Sequence, residues 1–231
     1  MNAIRTSALA AVLGIAALAS SPASADLMIW VGSNGGNNCG AALACNTNNT
    51  TPLNDAGVSG GWTWSLGLDG NGILSPGQIL SVTTLDASGT GTINLFATET
   101  NLSYGTAVSF LQDYRVTSQT SVYETRSFYL DATNGGQTTT LLGSFASGTN
   151  GGSFTHMLKT ISGLTGPFSI TEEITLCSGV KSATCDAGKG NLNAGDLISS
   201  VPEPVSLSLL GSGLVALGAM SRRRRKAAKS A

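Results

Sequence analysis

The chain has 231 residues, of which 41% are hydrophobic and 11% charged, with a formal net charge of −1. That balance hides a split. Between residues 26 and 200 only Arg115, Arg126, Lys159, Lys181 and Lys189 are basic, against twelve acidic residues, a net of −7. This stretch therefore lacks the basic surface that DNA or RNA binding requires.

Residues 1–25 have the anatomy of a signal peptide. Arg5 supplies the positive start and Ala8 to Ala19 the short apolar run. Ala23-Ser24-Ala25 fits the small-x-small rule, which predicts cleavage between Ala25 and Asp26. A permanent N-terminal anchor is the alternative, but the apolar run is short for one.

Residues 26–200 are long enough for one domain with a real core. Ser and Thr supply 45 of them, alongside many Gly and Asn, the composition of a secreted β protein rich in turns. Short alternating runs predict strands at roughly 27–32, 61–67, 78–85, 91–99, 106–117, 121–131, 137–145, 153–162 and 167–177. The spacing predicts an all-β fold, a single antiparallel β-sandwich or jelly roll. Residues 33–60 and 178–200 read as long loops. Cys39/Cys45 and Cys177/Cys185 form two near pairs. Export favours disulfides, and of the three possible connectivities the two local pairs are preferred, because both intervals are rich in small residues. The spacing is not that of a zinc site, and His156 is the lone histidine, so no metal is expected.

One hairpin follows from charge. Asp113 and Arg115 share a face of one run, and Glu124 and Arg126 share a face of the next. A register pairing Asp113 with Arg126 also pairs Arg115 with Glu124, on a solvated face with a loop over Ser118 to Ser121. Trp62 and Trp64 lie on one strand face and could stack on sugar rings, but Leu66 continues that face and favours a core role. Asp69-Gly70-Asn71-Gly72 resembles the middle of a calcium loop, but the flanking positions fail: Gly67 stands first and Gln78 twelfth. Glu172 falls on the apolar face of Phe168, Ile170, Ile174 and Leu176, whereas Glu173 points away. A buried Glu172 needs a partner, either Lys159, an arginine or backbone amides. No second histidine and no nucleophile elbow accompany His156, so no catalytic residue is assigned and no cofactor is implied.

The C-terminus carries three parts in order. Val201-Pro202-Glu203-Pro204 is held extended by its prolines. Val205 to Met220 is an uncharged apolar run of roughly 24 Å as a helix, short for a bilayer but within reach of local thinning. Arg222, Arg223, Arg224, Arg225 and Lys226 form a basic stop that the positive-inside rule keeps cytoplasmic, leaving residues 227–231 as a cytoplasmic tail. Over residues 201–226 this arrangement resembles the PEP-CTERM sorting signal. The resemblance implies an exopolysaccharide-producing bacterium. It also implies an exosortase partner, a membrane cysteine transpeptidase that processes its cargo near the motif.

The reading is a non-enzymatic envelope or extracellular-matrix protein. It is exported through the inner membrane by the bacterial export machinery, anchored transiently, then placed at the cell surface or outside, in contact with exopolysaccharide. A carbohydrate-binding or adhesion module using the Trp62/Trp64 face is the second reading. A secreted hydrolase using Glu172 or His156 is the third.

Overall fold

The structure, a computed structural model, describes residues 26–32, 44–46, 52–70, 78–102, 107–146, 154–162, 164, 166–179, 185, 189–201 and 214. The stretch read as a signal peptide, Cys39 and the stretch beyond Val201 read as a sorting tail, Leu214 excepted, lie outside them. Thirteen strands are described: β1 (Leu27–Val31), β2 (Ala44–Asn46), β3 (Leu53–Ser59), β4 (Trp62–Gly70), β5 (Gln78–Gly89), β6 (Thr92–Leu102), β7 (Ala107–Thr120), β8 (Val122–Asp131), β9 (Thr140–Ala146), β10 (Phe154–Met157), β11 (Ile161–Ser162), β12 (Phe168–Ser178) and β13 (Gly190–Val201).

They form two antiparallel sheets. Sheet A runs β2-β1-β6-β12-β8-β9, and sheet B runs β10-β7-β13-β5-β4-β3, with β11 also on β7. Alternation decides which side of each strand is buried. On β8, Val122, Glu124, Arg126, Phe128 and Leu130 face in, and the residues between them are half-exposed. The apolar inward rows of both sheets merge into one core around Trp62, Phe110, Phe128 and Phe168, a sandwich built face to face. Met28, Trp30 and Phe96 form a separate small cluster with Cys45 against it.

The chain passes between the sheets repeatedly, and three crossings meet at one end. β5 leads to β6 through Gly91, β7 to β8 through Ser121, and β12 to β13 beyond Gly179. Ser178 N donates to Gly91 O, and Gly179 N donates to Ser121 O. The Cys177–Cys185 disulfide closes this corner. The opposite end holds the start of β1 and the close of β13: Leu27 is paired with Glu99 late in β6, and Val201 with Ser109 early in β7.

Several expectations are corrected here. Residues 33–60 are not one loop, since β2 and β3 lie within them. β3 and β4 turn tightly through Gly60 and Gly61 at φ +55° and +82°, the positive pair a two-residue hairpin turn demands. Residues 178–200 are not a loop either. Their second half is β13, hydrogen-bonded to β5 on one side and β7 on the other. Its Gly and Asn content conceals a strand whose two satisfied edges offset poor propensity. The run 153–162 divides into β10 and β11. The Asp113/Arg126 hairpin does not form: β7 belongs to sheet B and β8 to sheet A. The turn at Ser121, at φ +50°, carries the chain across the sandwich instead of back along its own sheet.

Candidate functional site

Four strands each place polar side chains in an otherwise apolar inward row: Gln112 and Tyr114 on β7, Glu124 and Arg126 on β8, Glu172 on β12 and Asp196 on β13. They meet between the sheets around Arg126. Its Nε donates to Glu124 Oε1 at 2.6 Å, and its Nη1 to Glu172 Oε1 at 2.5 Å and Asp196 Oδ2 at 3.4 Å. The guanidinium carbon lies 4.7 Å from the centre of the Tyr114 ring, a cation–π contact. Tyr114 OH donates to Glu124. Gln112 Nε2 donates to Asp196 Oδ2 at 2.7 Å, and Leu197 N to Asp196 Oδ1 at 2.6 Å.

Three carboxylates face one guanidinium, and all are buried. Burial opposes the charge on Arg126, but Glu124, Glu172 and Asp196 outweigh it and raise its pKa well above the ordinary value. Burial raises Glu172 against the pull of Arg126. Burial and the neighbouring Glu172 push Asp196 well above its ordinary 3.8, with Arg126, Gln112 and the Leu197 amide only partly offsetting them. Fully ionised, the three carboxylates would leave a net charge of −2 sealed between the sheets. Retaining protons on the Glu172/Asp196 pair relieves that cost. Arg126 Nη2 and Gln112 Oε1 are buried without a hydrogen-bond partner, each a cost of about 1–3 kcal/mol. Such a cluster contributes register more than stability. A one-residue slip of β8, β12 or β13 moves its charge to the wrong face, and a slip of β7 does the same to Gln112 and Tyr114.

The cluster can hold protons and bind the sheets together, but no member is exposed enough to meet a substrate. Among the described residues no group of three or more His, Cys, Asp or Glu side chains is arranged to hold a metal ion.

Glu172 is buried, as its alternation predicts, and of the partners weighed for it an arginine, Arg126, is the one present. Glu173 points the other way and accepts from Tyr129 OH at 3.2 Å. Asp113 and Arg115 do share an outward face, but they pair with each other at 2.8 Å, while Glu124 and Arg126 turn inward. Trp62 and Trp64 do share a face, and it is the core face: their exposures are 0% and 3%. The sugar platform suggested for them is thereby corrected, because β4 turns Thr63 and Ser65 to solvent instead. His156 is exposed on β10, its ring stacked on Phe145 at 5.8 Å, and it is not among the residues gathered around Arg126. Cys177 and Cys185 are bonded as the local pairing predicts. Cys45 is also disulfide-bonded. Asp69 is buried at the end of β4, and Asn71 and Gly72 lie outside the described residues. Val201 ends β13, and Asp26 precedes β1. Asp196 went unnoticed in the sequence. Its signal was the same as that of Glu172, an acid interrupting the alternating row Leu192, Ala194, Ile198.

The fold and its site define an antiparallel β-sandwich with a buried ionic cluster between its sheets. No family model matches the chain, and no curated protein matches it. Among solved structures it is similar to one described as the structure of infectious bursal disease virus, Gx strain, at 14% identity and a TM-score of 0.32. That match covers 78% of this chain and 51% of the viral chain, so this chain spans about half its length. An overlap at that TM-score carries no argument about this chain.

Proposed function

We propose that this chain is an exported, non-enzymatic β-sandwich cargo of the bacterial envelope or extracellular matrix, delivered by the export machinery and processed by an exosortase. The observation that carries the reading is the position of the two ends. Asp26 adjoins β1 and Val201 closes β13, and both lie at the end of the sandwich away from the Cys177–Cys185 corner. The described residues that follow the proposed signal peptide and precede the proposed sorting tail, Asp26 and Val201, therefore sit at the same end of one folded body. A domain tethered there can stand on the outer membrane-facing side by either segment, with its disulfide corner distal. The disulfides suit an oxidising space. Of the two residues considered for hydrolysis, Glu172 is bound to Arg126 inside the buried cluster, and His156 lies apart from it on β10.

Intact mass spectrometry of the protein from its own culture tests this. A chain starting at Asp26 and ending between Val201 and Pro204 supports processed cargo. A membrane-bound chain still ending at Ala231 sinks it.

A further inference from the structure

The outer face of sheet B carries a second polar feature, independent of the sorting reading. β5 contains a bulge. Gly67 pairs with Thr84 and Leu68 with Val82 on one side, while Ala194 pairs with Leu85 and Asp196 with Val82 on the other. Thr83 and Thr84 consequently both project to solvent, where a regular strand would send one of them inward. Each neighbouring strand opposes the bulge with a glycine. A Cβ on Gly67 would lie 2.7 Å from Asn54 Oδ1, 2.7 Å from Thr84 Oγ1 and 2.8 Å from Thr83 Oγ1. A Cβ on Gly195 would lie 3.1 Å from Val82 O. At Gly67 three side-chain oxygens already converge on the space a Cβ would fill, and at Gly195 a Cβ would press on the Val82 carbonyl, so the surface beside the raised pair of hydroxyls is depressed on the Gly195 side.

On the Gly195 side the depression is a groove of about 360 Å³, with Thr83 and Thr84 on one wall and Asp113, Arg115 and Thr117 on the other. Asn193 lies at its edge and donates to Asp86. Arg115 is 75% and Asp113 31% exposed. We propose that this groove binds a neutral saccharide. The exposed charges of the lining are one carboxylate, Asp113, and one guanidinium, Arg115; Asp196 also lines it, but its carboxylate is turned into the buried cluster, so the exposed wall has no net charge to attract phosphate or nucleic acid. Its hydroxyls and amide both donate and accept, as sugar hydroxyls do. The Asp113/Arg115 pair offers an acceptor and a forked donor side by side, suited to adjacent hydroxyls. The glycine floor and threonine methyls supply apolar contact for ring C–H groups. From Asn54 on β3 to Asp113 on β7 the polar band crosses five strands, roughly 19 Å at the usual strand spacing, the reach of an oligosaccharide rather than a single sugar.

The test uses the full-length chain in detergent, titrated calorimetrically with gluco-, manno- and galacto-oligosaccharides. The proposal expects at least one to bind. It expects the Asp113→Ala/Arg115→Ala double variant, and separately Thr83→Val, to weaken it about tenfold or more with unchanged circular dichroism. Ser144→Ala, on the other sheet, leaves binding intact. Failure of all three series to bind overturns the proposal, as does binding that persists undiminished in the double variant. Neither result bears on the mass of the processed chain, so the sorting reading stands or falls separately.

Discussion

Arg126 on β8 and Asp196 on β13 meet across the sandwich, Nη1 to Oδ2 at 3.4 Å, although 70 residues separate them in the chain. The two strands belong to different sheets, so this contact exists only when the sheets have closed. The consequences of the cluster are therefore consequences for closure.

Its first consequence is a pH dependence. Glu172 and Asp196 have pKa values raised above 4.5 and 3.8 in the folded protein. A raised acid binds more protons folded than unfolded, so its stabilising contribution is full below the unfolded value and is lost as pH rises through the folded one. Asp131 acts oppositely. Its hydrogen bonds from Thr133, Gln137 and Gly135 outweigh its burial and lower its pKa, so its contribution is lost only as pH falls below the ordinary 3.8. Thermal unfolding followed by circular dichroism should give a Tm that is highest in mildly acidic buffer and declines toward alkaline pH. Asp196→Asn should flatten the decline; a wild-type Tm flat or rising above pH 5 contradicts the assignment.

Removing the guanidinium alone should be severe. Arg126→Met strands three buried carboxylates, and loss of one partner from such a cluster costs about 3–5 kcal/mol. Replacing Arg126, Glu124, Glu172 and Asp196 together by apolar residues should recover most of that loss, because the desolvation penalty leaves with the charges. Urea unfolding of the two variants separates these outcomes. Equal instability in both would mean that packing, not charge, dominates.

The Cys177–Cys185 bond joins residues 8 apart at the corner where three crossings meet. Cys177→Ala/Cys185→Ala should lower unfolding free energy by about 2–3 kcal/mol, the loop-closure figure for a short ring. Cys185→Ala alone should match the double variant. A variant as stable as the wild type would show that the hydrogen bonds of Ser178 and Gly179 hold the corner unaided.

Trp62→Ala distinguishes a core ring from a surface platform. Its ring is fully buried, so truncation should cost about 3–5 kcal/mol in chemical denaturation. An unchanged midpoint would place the ring at the surface after all.

Much of this was legible along the chain. Alternating runs predicted the strands that became β1, β4 to β9 and β12, joined β10 and β11 into one and missed β2, β3 and β13, and Glu172 stood out as a carboxylate on an apolar face. The misreadings share a cause. β13 was hidden because its Gly190, Asn191, Asn193 and Gly195 have turn-like propensities, and those are overruled only by neighbours on both edges. The Asp113/Arg126 hairpin was plausible because charge pairing constrains register between strands already known to be adjacent. Nothing local states whether a chain that turns at Ser121 returns beside itself or crosses to the opposite sheet.

The sequence by itself determined the local order: which residues alternate, where turns fall, which cysteines are close, and the three-part tail that follows Val201. Those follow from backbone sterics, side-chain period and composition, all short-range. The tertiary structure alone decided that the Glu124/Arg126 face of β8 turns inward, that these residues join Glu172 and Asp196 in one sealed cluster, and that Gly67 and Gly195 flank one bulge. Those depend on contacts between residues tens of positions apart, whose energies exist only after both sheets have buried their apolar rows against each other.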